Sequence, residues 1–357
     1  MDYLFKIDGT KSLDKNAIVF CEDGINFVGR TFENNGIQGK IAKRNFEPNE
    51  AFTITATVIG NYKYVKYQIE PYYCSQNINK LTPKPVIEKW NKKIAYFLVA
   101  NIQKFVSLYD YQQGGYKLED IKRHKIQLPI KDGKIDFDFM DAYISGLEEE
   151  RISKLVTYLK ISGFNNYELS NDEKQAIENI GLLNWKEVNV IEVFSVRNTK
   201  NILSNQIIPN SGKVPYLCAS ADNNSISSYI EYKEELKDKG NCIFIGGKTF
   251  VVSYQEFDFF SNDSHNLALY LKDEGNANKV NLLYLATCIK KSLSNKYSWG
   301  DSISNKKIQN DKIMVPVKDG IVDYDIMKNI ISAVKKIVIK DVVIWSNKKL
   351  EATKKIL

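Results

Sequence analysis

The sequence predicts an α+β fold: two tandem β-rich domains, each followed by a long helix, with the two helices packing against one another. Three observations carry the prediction. LPIKDGKIDFDFM at 128–140 returns as VPVKDGIVDYDIM at 315–327, with seven of thirteen positions identical. Each copy is preceded by short segments of alternating apolar residues and followed by a stretch where apolar residues recur every three or four positions. The chain, at 357 residues, is long enough to bury two cores.

The repeat runs the whole length. At the same offset, YFLVANIQKF (96–105) lies over LYLATCIKKS (283–292), and YQIEPYY (67–73) over YQEFDFF (254–260). With a two-residue slip, FVGRTFENNGIQGKI (27–41) aligns with YLCASADNNSISSYI (216–230), and LFKIDGTKSLDKN (4–16) with VFSVRNTKNILSN (193–205). This is one duplicated unit and not a solenoid of short repeats. The domains are read as 1–130 and 183–317, with helical regions at 131–182 and 318–357.

Each unit has the same internal order. FTITATVIGNYKYVKYQI (52–69) and NCIFIGGKTFVVSYQEFDFF (241–260) read as strands. A helix follows near 88–106 and 279–293. A strand-like segment then ends at Pro129 or Pro316, because proline blocks its continuation. Asp-Gly makes the turn after it. Met140, Ile144, Leu147, Leu155 and Leu159 share one helical stripe. Met327, Ile330, Ile331, Val334, Ile337, Val338, Val342 and Trp345 form the other. Asp136, Asp138, Asp323 and Asp325 sit where acids favour a helix N-terminus. Ser170 and Glu173 have capping-box spacing, which places a short helix over 170–180. From Asp136 to Lys160 there are six acids and three bases; from Asp323 to Leu357, four acids and eight bases. Opposite charge on two apolar-striped helices favours their pairing; the alternative is that each simply covers its own sheet.

The net charge is +7 and the pI about 8.8, a mild lean toward a polyanion. The five cysteines, Cys21, Cys74, Cys218, Cys242 and Cys288, are odd in number and form no CxxC. With no signal segment and no membrane-length apolar run, they indicate a reduced, cytoplasmic protein. Two histidines, His124 and His265, leave little material for a metal site, and both are expected at the surface or in loops. Gly246-Gly247-Lys248-Thr249 resembles a phosphate loop, but that motif needs glycine at 242, where Cys stands. No catalytic motif appears, so no catalytic residue, metal or cofactor is expected.

Polar loops in matched places remain. Asn34-Asn35 and Asn223-Asn224 follow strands, with Arg30 and Ser220 just upstream; Asn can read adenine and Arg guanine in the major groove. The alternative is that Asn-Asn only makes a turn. Hairpin tips carry Asn61 and Lys63 in one unit, Lys248 and Thr249 in the other. After each domain's helix come Gln112 and Gln113, or Lys296, Tyr297 and Ser298, which suit backbone and base contacts. Fifteen residues thus make up the candidate DNA-binding set.

The tandem halves resemble the DNA-specificity (S) subunits of type I and type IIB restriction-modification systems. The features that carry this are the openings at Phe5 and Phe194, the NN-x-I loops, KYSWG at 296–300, and the Lys-Asp-Gly segments leading into helices. The Lys-Asp-Gly-x-x-Asp-x-Asp passage is closer to the type IIB-like branch. The resemblance implies that each half is a target recognition domain reading half of a split, asymmetric double-stranded DNA site. It implies that the long helices pair as an antiparallel coiled coil. It also implies that adenine methyltransferase or fused methyltransferase–nuclease subunits, two per chain, supply the chemistry. Two features depart from the pattern: the first half lacks the lead-in WKE of 185–187, and YDYQQG (109–114) stands where the second half has KYSWGD. The competing readings are a duplicated protein-interaction scaffold that never touches DNA and, third, a self-contained enzyme.

Overall fold

The alternating segments form strands in the same order in both halves. The computed structural model describes residues 1–354. They group into two compact units, Met1–Leu155 with the described residues from Lys349 on, and Val156–Lys348. Residues 156–182, read from the sequence as part of the first helical region, group with the second unit.

In the first unit, eight strands make two sheets: β1 (Phe5–Gly9), β2 (Ser12–Leu13), β3 (Ile25–Val28), β4 (Ile37–Ile41), β5 (Thr53–Thr57), β6 (Val65–Gln68), β7 (Tyr72–Ser75) and β8 (Ile78–Pro83). One sheet is antiparallel in the order β1-β8-β5-β6; the other runs β2-β7-β3-β4, with β7 parallel to both β2 and β3. Helix α1 (Lys92–Ser107) buries Ile94, Leu98, Ile102 and Phe105 in one core with Phe5, Ile7, Ile54 and Leu81. The i, i+4 spacing puts these side chains on one stripe, each contributing roughly 1.5–3 kcal/mol when fully buried. Next come α2 (Leu118–Arg123), the hairpin β9 (Ile130–Lys131) and β10 (Lys134–Ile135), and α3 (Phe137–Ile161), whose last turns group with the second unit; α4 (Asn171–Glu178) belongs to that second unit.

The second unit contains β11 (Trp185–Asn189), α5 (Val190–Val193), β12 (Phe194–Asn198), β13 (Val214–Leu217), β14 (Ile226–Ile230), β15 (Cys242–Gly246), β16 (Val251–Gln255), β17 (Phe260–Ser261) and β18 (Leu267–Leu271). After these come α6 (Lys279–Leu293), α7 (Asn305–Ile308), β19 (Lys312–Lys318), β20 (Ile321–Val322) and α8 (Tyr324–Lys354). The sheet β12-β18-β15-β16 repeats the first unit's β1-β8-β5-β6, and β14-β13-β17 repeats β4-β3-β7. Helices α1 and α6 share a cap: Asn91 Oδ1 accepts from Lys93 and Ile94 N–H, and Asn278 Oδ1 from Val280 and Asn281 N–H.

The repeated Lys-Asp-Gly segment is a joint. Asp132 and Gly133 have φ of 50° and 77°, Asp319 and Gly320 of 52° and 80°. Two successive left-handed residues make the two-residue hairpin turn that suits strand twist. Asp136 and Asp323 then cap the long helices: their Oδ1 atoms accept from Phe139 N–H at 2.8 Å and Ile326 N–H at 3.0 Å. Their own N–H groups donate to Pro129 and Pro316 carbonyls at 2.9 and 3.0 Å.

Two expectations are corrected. Pro316 does not end its strand; β19 runs through it to Lys318. Val317 N–H donates to Asn184 on the β11 side. By antiparallel alternation Pro316 would point its nitrogen the other way, where no ladder bond is lost. The apolar stripe of α8 is also shifted in phase. Met327, Ile330, Ala333, Val343 and Ser346 are buried, while Val334, Ile337, Val338, Val342 and Trp345 stay 39–72% exposed.

Helix α4 docks on α8 through a buried carboxylate. Ser170 and Glu173 form the expected capping box, with Ser170 N–H donating to Glu173 Oε2 at 2.7 Å and Glu173 N–H to Ser170 Oγ at 3.2 Å. Glu173 also accepts from Ser332 Oγ and, at 2.8 Å, from Lys336 Nζ. Burial alone would raise its pKa, but the Lys336, Ser332 and Ser170 donors prevail and hold it at about 2, below the ordinary 4.5. A depressed carboxylate pKa stabilises the fold above 4.5, and that contribution is lost as pH falls toward 2. The difference in melting temperature between wild type and Glu173→Gln should therefore shrink across this window. Separately, Asp136→Ala and Asp323→Ala should each cost about 1 kcal/mol in denaturant unfolding, the usual price of a lost helix cap.

Candidate nucleic-acid interface

The Asn-Asn pairs are turns with a mechanical task. Asn34 and Asn35 have φ of 44° and 54°, Asn223 and Asn224 of 47° and 53°, a region that asparagine tolerates better than most residues. Asn34 Nδ2 donates to Ile37 O at 3.1 Å, and Asn223 Nδ2 to Ile226 O at 3.0 Å. Asn35 Nδ2 reaches Tyr67 O at 2.9 Å, and Asn224 Nδ2 reaches Tyr254 O at 3.0 Å. Gln68 and Gln255 return the contact, each Nε2 donating to the carbonyl of the second Asn, at 3.3 and 3.0 Å. The turn beside one sheet is thus braced to the last strand of the other, identically in both units. Sequence reasoning missed Gln68 and Gln255. Their signal was the Tyr-Gln pair kept in both copies, at 67–68 and 254–255.

Each brace borders a groove in the same place. In the first unit, about 420 Å³ is lined by Asn34, Asn35, Ile37 and Gln68, with Lys40 and Glu70 at the rim. In the second, about 450 Å³ is lined by Asn224, Ile226 and Gln255, with Tyr229 and Phe257 in the matching rim positions. The inner lining is shared and the rim is not.

The hairpin tip and the loop after the helix come together in both units, by different chemistry. In the first, Tyr111 N–H donates to Asn61 O at 2.7 Å, and Tyr62 and Tyr111 join through their hydroxyls. Lys63 is only 1% exposed. Its ammonium donates to the carbonyls of Gly60 at 2.9 Å, Gln112 at 3.2 Å and Tyr109. The expectation that Lys63 faces DNA is therefore corrected, because its donors are spent inside the fold. Asn61, Gln112 and Gln113 remain exposed, as does Arg30.

In the second unit, Ile303 N–H donates to Gly247 O at 3.1 Å, and Thr249 Oγ1 to Ala219 O at 2.8 Å. The anchor here is acidic. Asp311 is buried and accepts from Tyr297 OH at 2.5 Å and from Lys296 Nζ. Tyr297 is buried against Phe250, at 5.5 Å between ring centroids, and burial followed by the Asp311 contact pushes its pKa up. Tyr297 is thus corrected to a structural residue, and Lys296 is tied to its carboxylate. Lys248 is exposed and pairs with Asp263 at 3.4 Å. Ser298 is exposed beside Trp299, and Ser220, Asn223 and Asn224 line the adjoining turn. The hydrogen bonds join turn, tip and loop into one continuous surface in this unit.

The histidines are ordinary. His124 is tilted over Phe105 at 4.4 Å, and His265 is exposed beside Asp263. Among the described residues, no group of three or more His, Cys, Asp or Glu side chains could hold a metal ion. Among the described residues, no helix is long and apolar enough to cross a membrane.

Comparison with known proteins adds identity to this geometry. The family described as "Type I restriction modification DNA specificity domain" matches residues 2–157 and again 183–343. The specificity subunit S.BcgI of a type II restriction enzyme from Heyndrickxia coagulans is 25% identical over 331 residues, covering 91% of this chain and 90% of that protein. Among solved structures, the S subunit of a type I restriction-modification system from M. genitalium superposes with a TM-score of 0.58 at 16% identity. The match covers 99% of this chain and 92% of that one, and it shows a shared fold.

The two lysines at the hairpin tips should behave oppositely. Lys63→Met orphans three carbonyls and should cost about 1–3 kcal/mol or more in denaturant unfolding. Lys248→Met, at an exposed tip, should change stability by less than about 0.5 kcal/mol.

Proposed function

The chain belongs to the type I restriction-modification DNA specificity family, and from that premise we propose how its two units share the work. It is a DNA sequence-recognition subunit of a restriction-modification system, itself non-catalytic, and it assembles with methyltransferase or restriction subunits. The finer reading is that each unit reads one half of a split, asymmetric duplex site through the major groove. The observation that carries it is an identical amide-braced frame whose rim residues differ between units. Two readers of unlike sequences need this combination: fixed geometry for phosphate contacts, variable side chains for base edges.

The reading surface in each unit is the exposed part of the candidate set: Arg30, Asn61 and the two glutamines in one, Lys248, Ser298 and the turn before them in the other. The long helices set the separation of the half-sites. A 25-residue helix such as α3 spans roughly 37 Å, close to the 34–36 Å of one DNA turn. The partners are two adenine methyltransferase subunits, with or without a fused nuclease. Exposed Val338, Ile344 and Trp345 on α8 offer apolar surface for such a subunit. A protein-interaction scaffold that never meets DNA is not favoured by the family membership.

Selection from random duplexes by the complex reconstituted with its methyltransferase should recover a bipartite motif. Binding should weaken as salt rises, because phosphate contacts release counterions. A single continuous motif would sink the two-reader scheme. Exchanging residues 1–125 for another recognition domain should alter one half-site only; a change in both would show that the units are not independent readers.

A further inference from the structure

Where the frames of the two units coincide, chemical differences stand out, and the clearest lies beside the Asn34–Asn35 turn. Phe32 is 68% exposed, and its ring centroid lies 5.8 Å from that of Tyr64. Lys66, on β6 two residues before the Gln68 brace, holds its Nζ 4.4 Å from the Phe32 centroid and 6.0 Å from that of Tyr64. No ion pair joins Lys66 to a carboxylate among the described residues, and partial burial draws its pKa down. The corresponding positions in the second unit are Ala221, Val251 and Ser253. There the Ser253 hydroxyl is turned inward, to Ser225 Oγ at 3.1 Å and Gln255 Nε2 at 2.9 Å. One unit presents a cation seated on an exposed ring, with no carboxylate partner among the described residues; the other presents neutral side chains.

A cation held partly out of water without a counter-charge carries a desolvation cost that a ligand's acceptors can offset. Of the groups in a major groove, guanine O6 and N7 accept from lysine, and the thymine C5 methyl offers apolar contact to a ring. We propose that Lys66 and Phe32 form a base-reading pair found only in the first unit, with Lys66 donating to guanine O6/N7 and Phe32 packing on the methyl of a neighbouring thymine. The inference rests on the reading of the chain as a DNA-recognition subunit, and it names the bases that one half-site must contain.

The test uses the full chain in its methyltransferase complex. Random-duplex selection with wild type defines the two half-sites, and selection with Lys66→Met, Lys66→Arg and Phe32→Ala follows. Lys66→Met should lose preference for guanine at one position of one half-site by about tenfold or more, while Lys66→Arg, which keeps a donor to guanine, retains it. Phe32→Ala should relax the adjacent thymine, and uracil at that position should weaken wild-type binding to a similar degree. The other half-site stays unchanged in every variant. If Lys66→Met instead weakens all sequences equally and lowers the salt slope by about one, Lys66 meets a phosphate and the proposal is overturned. Unaltered selection in the variants also overturns it, and leaves the two-reader scheme standing. A wild-type complex that selects no bipartite site removes that scheme, and the proposal with it.

Discussion

The candidate surfaces of both units depend on one amide exchange between two sheets. The second asparagine of each pair gives an N–H to a strand carbonyl, and the glutamine next along that strand gives an N–H back to the asparagine carbonyl. Two left-handed residues in succession are costly for most side chains, and this exchange holds them in place. Once they are held, the strand after the turn, the groove beneath it and the exposed residues at its rim all take fixed positions. A surface that discriminates bases needs such rigidity, because hydrogen bonds to base edges tolerate little displacement.

A second constraint acts at the joint between sheet and helix. Asp-Gly forces a tight reversal, and the next aspartate caps a long helix while its N–H ties back to the proline before the turn. Direction is thus set within about eight residues, by local hydrogen bonds alone.

Much of this was legible in the sequence, for identifiable reasons. The duplication, the β-rich segments, the helices and the capping box all come from periodicity and short-range signals, which act over a few residues. The family resemblance followed from their order. What stayed hidden depends on distant partners. Lys63 and Tyr297 look like loop residues, and only the folded chain brings Lys63 among three carbonyls and Tyr297 onto Asp311. The phase of the α8 stripe was misread because Ala333 and Ser346 are buried while larger neighbours are not. Hydrophobicity alone gives small and polar residues little weight. The asparagine pairs could be read two ways from sequence, and their hydrogen bonds give them the turn.

The anchors beneath the two tips have opposite charge, a lysine among carbonyls in one unit and an aspartate between tyrosine and lysine in the other. A loop moved alone from one unit to the other would therefore strand a buried ion without its complement. Tip and loop therefore form one piece in each unit that can be exchanged only together, and the Lys-Asp-Gly segment, spelled the same in both copies, marks where that piece ends.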